Sequence, residues 1–162
     1  MSNLTISDKD KIFTKYPWVG KTLEIDCGDA KRIKIARDRG HSIWGLEKKD
    51  FKPSWSLMGI DHFIKQGVVT DIPYPDKTFD FVICPDALKP PESISTLALT
   101  ATWYGSALRE IYRVGRKDFF IKLPSTYDMK TWLKHLITAG FNVIMMQKSL
   151  QGNYLVEANS YV

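Results

Sequence analysis

From residue 22 onward, short apolar runs alternate with stretches in which apolar positions recur every three or four residues. The first rhythm is that of buried strands and the second that of helices with one face on a core. Residues 22–26 read as a short strand closed by Cys27-Gly28, and residues 29–39 as a helix with Ile33, Ala36 and Arg37 on one face and Gly40 as its stop. A second strand over 42–46 ends at Glu47, and one helix falls within 48–65 with Pro53 in its first turn. Residues 67–71 read as a third strand and 73–77 as a turn rich in proline. Residues 79–84 are almost continuously apolar, as expected of a strand covered on both faces, and 85–92 form a loop. Residues 93–115 read as helical, in one or two pieces, and 118–123 as a fifth strand. Ser125 or Thr126 can cap a helix running to Ala139, with Gly140 beyond its end. Two further strands, 142–147 and 154–158, are separated by too few residues for a helix and should pair antiparallel.

This alternation predicts an α/β fold: a seven-stranded, mostly parallel sheet with helices on both faces and an antiparallel C-terminal hairpin. The helix between strands three and four is missing or reduced. Residues 21–162 would form the single domain, preceded by an N-terminal segment over 1–20. Ligands of such sheets bind at the carboxyl ends of the strands. The loops after Asp26, Leu46, Asp71 and Cys84 therefore become the candidate site.

Composition narrows the class. The chain has 162 residues, enough for one domain with a full core. Apolar residues make up 44% and charged residues 25%, ordinary values for a globular protein. There is no long apolar run of transmembrane length and no apolar signal core over residues 1–15, so a cytoplasmic protein with no membrane association is expected. Two cysteines, Cys27 and Cys84, make neither a disulfide framework nor a four-ligand zinc site. His41, His62 and His135 are scattered without ligand spacing, and no metal is expected.

Four stretches resemble a known family. Leu23-Glu-Ile-Asp-Cys-Gly-Asp-Ala30 resembles the first motif of the class I S-adenosylmethionine-dependent methyltransferases, usually L-D-V-G-C-G-x-G. Asp71-Ile-Pro-Tyr-Pro-Asp-Lys-Thr-Phe-Asp-Phe-Val-Ile83 resembles their D-L-P-F-P-D-x-S-F-D-x-V. Ala107-Leu-Arg-Glu-Ile-Tyr-Arg-Val114 is similar to the helix before their fifth strand, and Leu136-Ile-Thr-Ala-Gly-Phe141 to their L-x-x-A-G-F. The resemblance covers roughly residues 21–158 and implies a Rossmann-like domain, S-adenosylmethionine as cofactor and methyl transfer to an unidentified acceptor. Fold alone does not settle activity.

The resemblance also implies site residues. Glu24 would support the first loop and reach the cofactor's amino-acid moiety. Cys27 and Gly28 carry the backbone past the ligand, and Gly28 is the one motif glycine retained. Asp26 stands where the first glycine usually is and Ala30 where the last is; Asp26 either binds the methionine ammonium or fills the pocket. Glu47, at the end of strand two, is placed for both ribose hydroxyls, against the alternative of an ordinary solvated glutamate. The family's adenine-contacting acid falls at Val68, which leaves Asp71 and Ile72 as adenine contacts or Asp71 as a turn cap. Cys84 closes strand four at the cofactor site, and Asp86 beyond it either orients and deprotonates an acceptor or is a plain loop aspartate. Both cysteines read first as small buried hydrophobes.

Arg and Lys exceed Asp and Glu by 23 to 18, a net charge of +5. Lys31, Arg32, Lys34, Arg37 and Arg39 crowd the first crossover helix, and Arg109, Arg113, Arg116 and Lys117 a later one. Such clusters suit nucleic acid, and equally a solvated surface. Among the tryptophans, Trp18, Trp44 and Trp132 read as core or partner surface, while Trp55 and Trp103 either flank the site mouth or seal the core. A catalytically silent methyltransferase-like binding or partner subunit, homo- or hetero-oligomeric, is the competing reading, favoured by Asp26, Ala30, Val68 and the Arg116-Lys117-Asp118 turn. A nicotinamide oxidoreductase would need G-x-G-x-x-G, and only Gly28 is present.

Overall fold

The computed structural model of the protein describes residues 20–160. The readings that fall on residues 1–19, Trp18 and the absence of a signal core among them, lie outside the described residues. The described elements run β1 (Thr22–Ile25), α1 (Lys31–Asp38), β2 (Ile43–Glu47), α2 (Lys52–Leu57), a 3-10 turn (Asp61–Phe63), β3 (Ile64–Gln66), β4 (Phe79–Cys84), α3 (Leu97–Val114), β5 (Gly115–Leu123), α4 (Met129–Ala139), β6 (Phe141–Lys148) and β7 (Tyr154–Ser160).

The strands form one seven-stranded sheet in the order β3-β2-β1-β4-β5-β7-β6. Pairings from β3 through β5 are parallel, and β7 pairs antiparallel with both β5 and β6. The order reverses between β1 and β4, which creates the crevice at their carboxyl ends.

Strand alternation assigns the two faces. Leu23, Ile25, Leu46, Val82, Phe119, Ile121 and Val156 point to the face covered by α3 and α4, where they join Ala107, Leu108, Ile111, Trp132 and Leu136 in the main core. Ile43 and Ile64 point the other way and pack with Ile33 and Ala36 of α1 and Trp55 of α2. Ile83, Phe120 and Leu155 form a third buried cluster. Gly45 in β2 has a packing reason: a Cβ there would lie 2.6 Å from both Cys27 Sγ and Ile33 Cδ1. Its missing side chain lets α1 and the first loop seat on the sheet.

Several boundaries differ from the sequence reading. The third strand is Ile64–Gln66 rather than 67–71, because Ile64 pairs opposite Gly45 while Gly67 N–H already donates to the Glu47 carbonyl and 68–71 turn back on themselves. Residues 93–115 hold one 18-residue helix, capped by Thr96, whose side chain accepts from Leu99 N–H. Asp128, rather than Ser125 or Thr126, caps α4 by accepting from Thr131 N–H. The fifth strand starts at Gly115, and Asp26 lies past the end of β1. As the sequence pattern implies, no helix lies between β3 and β4.

Candidate functional site

The first loop carries a backbone pattern that its side chains conceal. Asp26, Gly28 and Ala30 all have positive φ, at 55°, 60° and 63°. These are the three positions that the family motif gives to glycine. The backbone is left-handed at each of them although two carry a Cβ. Aspartate tolerates this region through local polar contacts better than most residues do. Ala30 is completely buried, so packing holds it in a conformation alanine rarely adopts. A Cβ added at Gly28 would meet no atom within 4 Å, so the backbone there faces open space.

Three partners brace the loop. Glu47 Oε2 accepts the Gly28 N–H at 2.8 Å, and its Oε1 accepts the Lys49 N–H at 3.1 Å. The Trp55 indole N–H donates to the Gly28 carbonyl at 3.0 Å, and Cys27 N–H donates to the Leu46 carbonyl at 3.1 Å. Trp55 therefore seals the α1–α2 core and also clamps the motif loop. Nothing in sequence spacing links residue 55 to residue 28; that link exists only through the sheet.

Four carboxylates gather at the carboxyl ends of β1, β2 and β4. Glu24 is buried with Arg32 of α1 at 4.0 Å, and Glu47 is also buried. Burial pushes the Cys27 thiol far above its ordinary range, and the negative charges of Glu24, Glu47 and Asp26 add to the effect. Burial likewise raises the Cys84 thiol, with Asp26, Asp86 and Glu24 adding to it. Both thiols thus sit in the field of the same acids and are protonated, and Cys84 donates its S–H to the Asp86 carbonyl at 3.3 Å. A gathering of negative charge inside a chain of net charge +5 suits a cationic ligand.

The loop after β3 is fastened from α3. Glu110 Oε2 accepts the Ile72 N–H at 2.8 Å, and Arg113 donates to the carbonyls of Ile72 and Tyr74 at 2.8 and 2.9 Å and to Asp76 at 2.8 Å. The Ile72 side chain is in the core, while Asp71 is exposed and Val68, at 48% exposure, flanks it. The structure gives Glu110 and Arg113 this role; the sequence showed only that they belong to a helix.

Beyond β4, the half-buried Asp86 precedes a cavity of about 460 Å³ between loop 87–94, the start of α3 and the β5–α4 connection. Leu88 and Tyr104 are its buried floor, and the Tyr104 hydroxyl donates to the Leu88 carbonyl at 3.2 Å. Trp103 packs edge-on against Tyr104, on the core side.

Most of the basic residues that suggested a polyanion have acidic or backbone partners within the chain, several of them in exposed surface pairs. Arg113 is held as above, Arg116 and Lys117 face Asp80, Lys34 pairs with Asp38, and Lys31 pairs with Asp29. Arg37 donates to the Ile43 carbonyl and lies over the Trp44 and Phe63 rings. Among the described residues no cluster of three or more His, Cys, Asp or Glu is arranged to hold a metal, and no helix is long and apolar enough to cross a membrane.

No protein-family model matches the chain, and no curated protein matches it in sequence. Solved structures do match in fold. A TehB-like SAM-dependent methyltransferase from Corynebacterium glutamicum superposes with a TM-score of 0.68 at 13% identity, covering 99% of this chain and 90% of that one. A 1,6-didemethyltoxoflavin-N1-methyltransferase from Burkholderia thailandensis, solved with bound 1,6-didemethyltoxoflavin and S-adenosylhomocysteine, gives 0.67 at 14% identity over 94% and 75%. The [4+2]-cyclase SpnF gives 0.63 at 15% identity over 88% and 75%. The chain has the Rossmann-like fold of the class I methyltransferases.

Proposed function

We propose that this Rossmann-like domain binds S-adenosylmethionine and transfers its methyl group to a small acceptor. The observation that carries the reading is the first loop: three left-handed residues at the motif's glycine positions, braced by Glu47 and Trp55 and open above Gly28. The fold likeness to methyltransferases supports it, and the gathered carboxylates suit a ligand bearing an ammonium and a sulfonium.

Each residue then has a task. Glu47 accepts the Gly28 and Lys49 N–H groups with one lone pair on each oxygen and has a second on each for the two ribose hydroxyls. Asp26 pairs with the ammonium, and Glu24 supports the loop from the α1 side beside Arg32. The Cys27 and Gly28 backbone passes along the ligand, Cys84 closes the floor as a protonated thiol, and exposed Asp71 flanks the adenine. Ile72 acts from below, through the core and its clasped backbone. When bound, the cofactor would supply a methyl carbon on a sulfonium, an electrophile for an acceptor's lone pair with a thioether as leaving group. The Asp86 carboxylate takes the proton that the acceptor sheds. Otherwise the protein's contribution is to hold the two reactants in line and exclude water.

The test is a calorimetric titration with S-adenosylhomocysteine, read in parallel through the intrinsic tryptophan fluorescence. Saturable micromolar binding is expected; no binding at millimolar ligand would sink the reading. A second reading, a silent methyltransferase-like binding subunit, is favoured by the Asp26 and Ala30 side chains in the motif loop. The SpnF likeness shows that this fold also carries a protein named as a cyclase. A methylated product, detected by mass, separates the two readings.

A further inference from the structure

We infer that the acceptor is a small, uncharged, mostly apolar ring compound, bound in the cavity between loop 87–94 and the start of α3; the inference rests on the methyl-transfer reading above. The cavity's chemistry is the argument. Pro90, Pro91 and Pro124 stand in its walls, and a proline has no N–H to donate. Partly exposed Ile94 supplies further apolar surface, and buried Leu88 and Tyr104 close the floor beneath it. The Tyr104 hydroxyl is already bonded to the Leu88 carbonyl, so its polar tip is not on offer. The charges are Lys89 and Glu92, of opposite sign and both exposed at the rim, which cancel rather than select an ion.

Size and stiffness agree with this. A volume of about 460 Å³ falls within the range of small-molecule pockets and is far below what a polymer needs. Fixed proline φ angles keep the walls preformed, which favours a rigid guest over a flexible one. Leu97 and Leu99, exposed at 87% and 53%, lie in the chain between the lining residues Ile94 and Thr100 and extend the apolar character of this end of α3. Polyanion recognition would need an array of free cations here, and Lys89 is the single basic residue in the lining.

The experiment uses the full chain with S-adenosylhomocysteine and two probes: neutral 7-hydroxycoumarin, followed by its fluorescence, and a single-stranded oligouridylate. Coumarin should bind saturably and the oligonucleotide should not displace it. Thr100→Trp, which fills the cavity from the α3 surface, should weaken coumarin about tenfold while S-adenosylhomocysteine affinity holds within twofold. A Lys89→Gln, Glu92→Gln double variant provides a check that does not depend on filling the cavity, and should leave coumarin affinity within twofold. Oligonucleotide displacement, an unaltered coumarin affinity in folded Thr100→Trp, or a large loss in the charge variant would overturn the assignment. Coumarin failing to bind while S-adenosylhomocysteine binds strikes the acceptor class alone; the reverse pattern strikes the methyl-transfer reading and with it the guest's role as acceptor, leaving the cavity's ligand class standing.

Discussion

The Glu47 carboxylate and the Gly28 amide, on the carboxyl ends of adjacent strands, are joined by a 2.8 Å hydrogen bond that aims the first loop at the crevice. Removing the acceptor strands the Gly28 N–H and a loop held otherwise by Trp55. Glu47→Ala should lower stability by about 1–3 kcal/mol, and should weaken S-adenosylhomocysteine at least tenfold. Urea unfolding and calorimetry measure the two effects, and an affinity equal to wild type would remove Glu47 from the site.

Asp26 lets charge be separated from backbone geometry. Asparagine tolerates the left-handed region as aspartate does, so Asp26→Asn should keep the fold. It should weaken S-adenosylhomocysteine by roughly tenfold if the carboxylate meets the ammonium. An unchanged affinity would assign Asp26 to filling space instead.

Arg113 ties α3 to three positions of loop 72–76 and to Glu110. Arg113→Ala should destabilise by about 2–4 kcal/mol, because it also leaves Glu110 without its charged partner. A shift in urea midpoint below one-tenth of the wild-type value would contradict this bracing role.

The same pair sets an acid response. The Arg113 hydrogen bond, with the Ile72 N–H adding to it, holds the Glu110 carboxyl below the usual glutamate range. A depressed folded value stabilises the native state above the unfolded pKa, near ~4.3, and that stability is lost as pH falls through the lower folded value. Glu110→Gln should therefore flatten the stability–pH curve below about pH 4.3 while leaving the neutral-pH slope alone, as denaturant melts across pH would report. An unchanged acid limb would remove Glu110 from the acid response.

Both thiols are raised by burial first, and by neighbouring carboxylates after it. Native protein should therefore resist iodoacetamide at mildly alkaline pH, and both cysteines should react on unfolding. Rapid native alkylation of Cys27, which is half-buried, would contradict the protonated thiol, as counted by intact mass. Gly45→Ala should cost about 1–3 kcal/mol by forcing Cys27 and Ile33 apart, again read by urea unfolding.

Much of the fold was legible because it is written in local pattern. Period-two and period-3.6 stretches mark strands and helices, and the short gap before β7 dictates an antiparallel hairpin. What was misplaced involved competition between local signals. The apolar Val68-Val69 pair looks like strand, yet Ile64 holds the sheet register and 68–71 close a turn. Ser125, Thr126 and Asp128 are all capable caps, and backbone direction chooses Asp128.

The site divides the same way. Motif order alone pointed to Glu24, Gly28 and Glu47 on neighbouring strand ends, since a parallel sheet brings equivalent ends together whatever the loops contain. Which loop residues take left-handed backbone, that Trp55 clamps Gly28, that Glu110 and Arg113 grip Ile72, and that Arg116 and Lys117 reach Asp80 were decided by tertiary structure. Those contacts join residues 27 to 41 positions apart in the chain. Hydrogen bonds and charge pairing act over a few ångströms of space, and no periodicity along the sequence records that distance.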